Sequence, residues 1–153
     1  MKLEYLVDRT EALPTLARWH YAEWGHYSAE RTVETMGERL RGHLHRDRIP
    51  LTVVAHEDDV PIGTAALVEF DMETRRDLTP WLADVVVSPE RRSAGIGTRV
   101  VEFIVERARE LGVRRLYLFT PDRKSFYARM GWSVLERTDY RGEPVVVMQI
   151  DLA

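Results

Sequence analysis

Residues 85–98 constrain the fold of this chain more than any other stretch. Their sequence is VVVSPERRSAGIGT: three β-branched residues, a Ser-Pro turn, two arginines, and two glycines spaced by one residue. An amphipathic segment follows directly, so the pattern predicts a strand, a Gly-rich loop and the start of a helix. Such a loop exposes successive backbone N–H groups in front of the positive end of the helix dipole. We therefore expect a binding site for an anion, most often a phosphate.

The remaining pattern predicts a single α/β domain over residues 1–153. The chain is 44% hydrophobic and 31% charged, and it contains no repeat, low-complexity tract or linker. Predicted strands cover residues 2–8, 51–55, 60–70, 81–87, 115–119, 132–138 and 145–152. Predicted helices cover residues 11–24, 29–46, 97–111 and 121–130. This order indicates an α/β fold with a mixed sheet and a β–α–β crossover around the Gly-rich loop.

Composition excludes several classes of function. The chain has no cysteine, which excludes disulfides, thiol catalysis and cysteine-ligated zinc. Its net charge of −3 argues against general nucleic-acid binding, which usually shows a basic excess. No apolar run approaches the ~20 residues of a membrane span, and the charged N-terminus does not resemble a signal peptide. We therefore expect a cytoplasmic protein that binds neither nucleic acid nor a membrane.

The Gly-rich loop can be compared with known phosphate-binding loops. A Walker loop has a lysine after its last glycine, and no lysine follows Gly97. A dinucleotide fingerprint has a third glycine where this chain has Val100. The remaining pattern is R-x-x-G-x-G after V-x-S-P, with Arg92, Gly95 and Gly97 in place. For the glycines alone, an ordinary strand-to-helix turn stays the alternative.

Two motifs resemble those of the GNAT superfamily of N-acetyltransferases. Residues 85–98 are similar to the family's acetyl-CoA loop, V-x-P-x-x-[R/Q]-x-x-G-x-G/A. Residues 126–132, FYARMGW, are similar to its F-Y-x-x-x-G-F/W signature. One predicted helix and one predicted strand separate the motifs, and the order of elements agrees across nearly the whole chain. The resemblance implies the GNAT fold, a central mixed β-sheet flanked by helices, and acetyl transfer from acetyl-CoA to a primary amine.

The resemblance also implies which residues bind acetyl-CoA. Backbone N–H groups of the loop would hold the pyrophosphate of coenzyme A. These groups belong to Arg92, Ser93, Ala94, Gly95, Ile96, Gly97 and Thr98. Backbone groups at the end of the preceding strand would pair with the pantetheine arm, as a pseudo-strand between strands that splay apart. These groups belong to Val85, Val86 and Val87, and positive charge would come from Arg91, Arg92 and Arg99.

Tyr127 is the predicted general acid. The implied reaction is attack of an amine on a thioester carbonyl, through a tetrahedral species, after which a thiolate leaves and needs a proton. A phenol with an ordinary pKa of about 10 is protonated at neutral pH and can donate that proton. The resemblance places Tyr127 at the start of the last helix, beside the sulfur and in contact with the cofactor. A core ring whose hydroxyl bonds a nearby carbonyl is the alternative.

A base must deprotonate the amine, and two carboxylates are candidates. Asp84 precedes Val85 in an otherwise apolar strand. It therefore either faces solvent at a bulge or faces the acceptor pocket, where it would act directly or through water. Glu69, near the end of the neighbouring strand, is the second candidate. The resemblance supplies no single base, since ordered water often serves in this family.

The predicted acceptor is the amine of a small molecule or a peptide. The resemblance places its site between the first helices, the loop after the third strand and the C-terminal hairpin. Those parts carry Trp24, His26, Tyr27, Glu69, Asp71, Glu73, Asp77, Tyr140, Arg141 and Glu143. This aromatic and acidic mixture would suit a cationic amine, although Arg75 and Arg76 in the same loop weaken that inference.

Three further expectations concern an alternative function, dimerisation and metal binding. A non-catalytic domain of the same fold that binds acetyl-CoA as a sensor is the alternative function, although it would need neither Tyr127 nor a carboxylate. Many GNAT relatives dimerise, and residues 145–150 could form an exposed edge strand that pairs with a second copy. His43 and His45, predicted on a helix surface, do not share a face of that helix, so no metal site is expected.

Overall fold

Seven strands form one mixed sheet in the computed structural model, which describes residues 1–153. The strands are β1 (Lys2–Tyr5), β2 (Leu51–Glu57), β3 (Val60–Val68), β4 (Trp81–Val87), β5 (Arg115–Thr120), β6 (Ser133–Tyr140) and β7 (Glu143–Asp151). The helices are α1 (Leu13–Trp24), α2 (Val33–Arg41), α3 (Ile96–Glu110) and α4 (Lys124–Ala128). The strand order is β1-β2-β3-β4-β5-β7-β6, which confirms the predicted mixed sheet with flanking helices.

Alternation along β2 shows how the helices cover both faces of the sheet. Val53 and Ala55 pack in one buried cluster with Ile104 of α3. Val54 packs in a different cluster with Leu16 of α1 and with α2. Because successive strand side chains point to opposite faces, α3 covers one face while α1 and α2 cover the other. No helix has the length and apolar character that crossing a membrane requires.

Strands β4 and β5 are the one parallel pair, and they separate along their length. Their register contains a single residue pair, Trp81 with Tyr117. The N–H of Tyr117 donates a hydrogen bond to the carbonyl of Pro80 over 3.1 Å, at the same end of the strands. The rest of β4 therefore has a free backbone edge on the side of β5.

A β-bulge in β4 lies beside this gap. Thr64 of β3 pairs with Val86, whereas Ala66 pairs with Ala83, so an extra residue of β4 is accommodated between these pairs. Asp84 lies at this point and has a φ of +58°. Bulges bend a strand and re-aim its side chains, so this bulge turns Asp84 away from the regular alternation of β4.

The second helix is shorter than the predicted range 29–46. Thr32 caps its start, because the Thr32 hydroxyl accepts a hydrogen bond from the N–H of Thr35 over 3.0 Å and the Thr35 hydroxyl accepts one from the N–H of Thr32 over 2.9 Å. The helix ends before His43 and His45, so their predicted place on a helix surface was wrong. His43 is buried, and its Nδ1 lies 2.9 Å from the hydroxyl oxygen of Thr52.

The predicted edge strand at residues 145–150 was also wrong. These residues belong to β7, which lies between β5 and β6 and is paired on both sides. The edges of the sheet are β1 and β6, and β6 exposes Val134 and Leu135. The predicted C-terminal hairpin is present, but its second strand, β7, lies nearer the centre of the sheet than its first strand, β6.

Candidate active site

A cavity of about 1040 Å³ occupies the gap between β4 and β5. One part of its wall, here the loop side, comes from β4, the Gly-rich loop and α4, and includes Val85, Val86, Val87, Arg92, Ser93, Gly95, Ile96, Gly97, Thr98, Phe126 and Tyr127. The other part, here the arginine side, comes from α1, α2, the loop after β3 and the β6–β7 turn, and includes Trp24, Tyr27, Arg31, Arg39, Phe70, Asp71, Glu73, Arg76, Tyr140, Arg141 and Glu143. This volume is at the upper end for ligand pockets, so the cavity has room for two reactants.

The Gly-rich loop presents a run of unpaired backbone donors. Before the run, the N–H of Arg91 donates to the carbonyl of Ser88, and after it the N–H of Arg99 donates to that of Gly95. The N–H groups of residues 92–98 between them donate to no protein acceptor. Ser93 and Gly95 have φ angles of +69° and +80°, and left-handed residues of this kind curve a loop into an anion-binding concavity. The start of α3 adds its dipole to the same place.

Gly97 joins the two sequence motifs physically. A Cβ on Gly97 would lie 3.3 Å from Cζ of Phe126 and 3.5 Å from Cγ2 of Val87. Glycine therefore lets the start of α3 approach the aromatic residues of α4 closely. This approach brings Tyr127, the next residue along α4, to the same cavity as the loop.

Of the arginines predicted to attract the anion, Arg92 alone reaches the cavity. It forms an ion pair with Glu23 of α1 at 3.3 Å. Arg91 forms an ion pair with Glu57 at the end of β2 instead. Arg99 is exposed on α3 and outside the cavity. Arg123 and Arg129, which the resemblance did not assign to the loop, also line the cavity near α4, so Arg92 is not its only source of positive charge on this side.

Tyr127 is buried in the core and turned toward the cavity. Its side chain is 8% exposed, and its ring packs edge-on against Phe126 and Trp132 at centroid distances of 5.0 and 6.1 Å. Its hydroxyl has no hydrogen-bond partner in the protein, unlike the alternative of a core tyrosine bonded to a carbonyl. Burial raises the pKa of Tyr127 to about 12, so the phenol is protonated at neutral pH and can donate.

Asp84 lies at the bulge with its side chain buried against the cavity wall. Its Oδ2 is 3.0 Å from Nη1 of Arg39, and its side chain is only 7% exposed. Burial by itself would raise the pKa of Asp84, but the charge of Arg39, followed by His20 and His43, overcomes burial and lowers it to about 2. Asp84 is therefore a permanently ionised partner of Arg39, and a weak proton acceptor at neutral pH.

Arg39→Gln is expected to lower the free energy of unfolding at pH 7 by about 2 kcal/mol. This is less than the ~3–5 kcal/mol of a fully buried pair, because the Arg39 side chain is 40% exposed. The lowered pKa of Asp84 stabilises the fold above the ordinary Asp pKa of about 4, and this contribution disappears as the pH falls toward 2. Urea denaturation should therefore show a difference in unfolding free energy between the wild type and Arg39→Gln that becomes smaller at acidic pH. Arg41→Gln on the same helix is the control, and equal losses in both variants would contradict the role of the ion pair.

The structure does not bring Glu69 to the cavity. Glu69 follows the last residue of β3, its side chain is exposed, and it does not belong to the cavity wall. His26 and Asp77, which the sequence also placed near the acceptor, lie outside the wall as well. The other residues predicted around the acceptor, Trp24, Tyr27, Asp71, Glu73, Tyr140, Arg141 and Glu143, all line it.

Asp71 is a titratable group whose role the sequence did not indicate. It lies in the loop after β3, is half-buried and lines the cavity. Burial first, and then the negative charge of Asp84, raise the pKa of Asp71 to about 7, against the opposing charges of Arg39, Arg141 and Arg31. A carboxyl group that titrates near neutral pH is suited to general base catalysis. No local pattern marks Asp71, because its pKa depends on residues from distant parts of the chain.

Comparisons with known proteins agree with the two sequence motifs, residues 85–98 and 126–132. The model of the Acetyltransferase (GNAT) family matches residues 13–132. The chain is similar to an amino-acid acetyltransferase of Aeromonas salmonicida, with 32% identity over 101 residues that cover 66% of this chain and 22% of the relative. It is similar to another from Neisseria meningitidis serogroup A, with 25% identity over 143 residues that cover 86% of this chain and 32% of the relative. The chain thus spans between 21% and 32% of the length of these curated relatives.

Solved structures share the fold at lower sequence identity. An aminoglycoside 6'-N-acetyltransferase complexed with coenzyme A superposes with a TM-score of 0.80 and 16% identity, covering 100% of this chain and 98% of that one. A ribosomal-protein-alanine N-acetyltransferase from Brucella melitensis superposes with a TM-score of 0.77 and 18% identity, covering 99% of each chain. These likenesses extend over the whole sheet and its helices.

Proposed function

The chain belongs to the GNAT family of acetyltransferases, and from this premise we propose that it transfers the acetyl group of acetyl-CoA to the primary amine of a small molecule. The observation that carries the proposal is the shared cavity. Residues 92–98 with their unpaired N–H groups, all but Ala94 in the cavity wall, line it together with the free edge of β4 and Tyr127. Both substrates would bind there together, so the acetyl group would pass directly to the amine.

The loop side of the cavity is suited to coenzyme A. In our proposal the N–H groups of residues 92–98 hold the pyrophosphate, with Arg92 adding positive charge. The pantetheine arm extends along Val85, Val86 and Val87, whose backbone edge is free because β5 diverges from β4. The arm takes the place of a strand at this edge, since an amide-containing chain can use the same donors and acceptors. Support also comes from the coenzyme A complex of the structural relative.

The proposed proton transfers use one group on each side of the cavity, Asp71 on the arginine side and Tyr127 on the loop side. The acceptor's ammonium group first loses one proton to solvent, and Asp71 accepts the second as the C–N bond forms, after which the tetrahedral species collapses and the C–S bond breaks. Tyr127 donates its proton to the leaving sulfur, and exchange with solvent returns Asp71 and Tyr127 to their starting states. Asp84 acts as a positioning residue in this mechanism, because its fixed negative charge raises the pKa of Asp71. This assignment replaces Asp84 and Glu69, the bases that the sequence suggested, with Asp71.

The test is thiol release by the purified protein from acetyl-CoA, measured with a panel of amino acids, amines and peptides. We expect release that depends on both acetyl-CoA and one class of acceptor. The amino-acid acetyltransferases among the curated relatives support amino acids as the first acceptors to assay. Binding of acetyl-CoA without thiol release for any acceptor would instead indicate the non-catalytic sensor. Failure to bind coenzyme A would overturn the proposal.

Gly95→Ala should weaken acetyl-CoA binding by roughly 10-fold, because an alanine resists the φ of +80° and distorts the loop. The matched control is Gly112→Ala, at the end of α3, where φ is +85° and a Cβ also has open space around it. Both variants should lose a similar stability of about 1–2 kcal/mol. Calorimetric titration with acetyl-CoA separates them, because only the first should bind more weakly. Equal binding in the two variants would remove the loop from the cofactor site.

A further inference from the structure

Two arginines from distant parts of the chain meet at one tyrosine ring on the arginine side of the cavity. Arg31 precedes α2, and Arg141 lies in the β6–β7 turn with a φ of +53°. Their guanidinium carbons lie 5.8 and 5.7 Å from the ring centroid of Tyr27. Arg141 also lies over the ring of Tyr140 at 4.7 Å. Aromatic faces of this kind hold a guanidinium in place without neutralising its charge.

Neither arginine has a carboxylate within ion-pair distance. Nη1 of Arg31 donates to the carbonyl of Trp24 over 3.0 Å, and no ion pair involves Arg31 or Arg141. The pKa of Arg31 is lowered, first by burial and then by the charges of Arg141 and Arg39. Like charges therefore meet at this part of the wall, where Arg31 is half-buried and Arg141 is exposed, and neither has an ion-pair partner, so the position favours an anion.

The carboxyl groups nearby already have other roles. Glu143 accepts a hydrogen bond from the hydroxyl of Tyr27, and this bond raises the pKa of Tyr27 to about 12. Asp84 forms its ion pair with Arg39. Asp71 has a pKa of about 7, so it is only partly ionised at neutral pH. None of these carboxyl groups forms an ion pair with Arg31 or Arg141, so both guanidinium groups can bind an anionic group of a ligand.

We infer that Arg31 and Arg141 bind the carboxylate of an acceptor that carries its amine close to that carboxylate, an α-amino acid. This inference rests on the proposed function, because it names the substrate of the same cavity. Both arginines are close enough to Asp71 for their charges to act on it. An amine beside Asp71 and a carboxylate on the arginine pair are therefore compatible with one small zwitterion. Guanidinium groups also bind carboxylates through paired N–H donors, which favours this anion.

A polycationic acceptor is disfavoured by the same arrangement. The arginine side also carries Arg39 and Arg76, and Arg76 lies over the ring of Phe70 at 4.1 Å without an ion-pair partner. An acceptor with several ammonium groups would meet this repulsion wherever an ammonium group lies near these four arginines. The expectation of a cationic amine, drawn from the acidic residues in the sequence, therefore gives way to an amine that carries a carboxylate.

The test compares free amino acids with their α-amides as acceptors in the thiol-release assay. The panel contains acidic and neutral L-amino acids, the matched α-amides, dipeptides and one aminoglycoside. We expect kcat/KM to be about 10–100-fold higher for the free acid than for its amide, the range for a charge-assisted hydrogen bond. Measured well above pH 7, where Asp71 stays ionised in each variant, Arg31→Gln and Arg141→Gln should each raise KM for the acid by about 10-fold or more, with a much smaller effect on the amide. The acid-to-amide ratio should fall toward one in the double variant.

Arg76→Gln is the matched control, since it removes one charge from the same side of the cavity and leaves the ring of Tyr27 undisturbed. Its acid-to-amide ratio should stay at the wild-type value. Equal use of acid and amide by the wild type, a preference for dipeptides or the aminoglycoside, or equal losses for acid and amide in the variants would each overturn the inference while leaving acetyl transfer intact. Absence of thiol release with every acceptor would overturn the proposed function itself, and this inference with it.

Discussion

Replacing Tyr127 with phenylalanine is expected to lower kcat by at least about 100-fold while leaving the affinity for acetyl-CoA unchanged. The ring would keep its packing against Phe126 and Trp132, because the hydroxyl that is lost has no protein partner. What disappears is the donor for the departing thiolate. Single-turnover rates of thiol release, with calorimetric titration of acetyl-CoA, measure the two quantities separately.

Tyr117→Phe is the control for this substitution. Tyr117 packs beside Trp81 at the start of the β4–β5 gap and lies outside the cavity wall, so its kcat should remain near that of the wild type. Because the pKa of Tyr127 is about 12, the wild-type rate should show no loss from phenol ionisation at neutral or mildly basic pH. Wild-type turnover in Tyr127→Phe would exclude the tyrosine from the chemistry. Lost acetyl-CoA binding would show that its hydroxyl has a binding role instead.

Asp71→Asn is expected to lower kcat/KM by about 100- to 10,000-fold, since the amide cannot accept the proton of the amine. In the wild type, kcat/KM should rise with pH through about 7 as Asp71 ionises, separately from the ionisation of the acceptor amine at higher pH. In Asp71→Asn, this rise of kcat/KM near pH 7 should be absent. A pH profile of thiol release, measured at low acceptor concentration, is the experiment.

The stability of Asp71→Asn provides an internal control. The folded pKa of Asp71 lies above its unfolded value of about 3.9, so its ionisation opposes folding, and this cost is fully present above pH 7. The variant should therefore be at least as stable as the wild type at pH 8. A loss of activity with unchanged or increased stability excludes unfolding as the cause.

Asp84→Asn tests which aspartate, Asp71 or Asp84, acts as the base. Removing the charge of Asp84 removes a repulsion that raises the pKa of Asp71, so the limb of the pH profile should move to lower pH. A base at Asp84 would give the opposite outcome, with the limb abolished in Asp84→Asn and retained in Asp71→Asn. The two variants together thus identify the group that titrates.

The sequence was sufficient for the family and for the residues of the Gly-rich loop. Both depend on short-range features: the strand, the left-handed glycine and the start of α3 are consecutive in the chain. Their neighbours along the chain determine the local backbone, so the anion-binding geometry can be predicted from the residues alone. The order of strands was less accessible, and β7 was mistaken for an edge because pairing on both sides depends on which distant strands it meets.

The proposed base and the proposed acceptor depended on the tertiary structure. Asp71 acquires its pKa of about 7 from burial and from Asp84, and Arg31 and Arg141 come together only where the loop before α2 meets the β6–β7 turn. Electrostatic interactions act through space and depend on burial, and neither quantity can be obtained from local sequence. For this protein the sequence by itself determined the Gly-rich loop and its unpaired N–H groups. The tertiary structure decided which charged groups line the cavity together, because folding alone sets their distances.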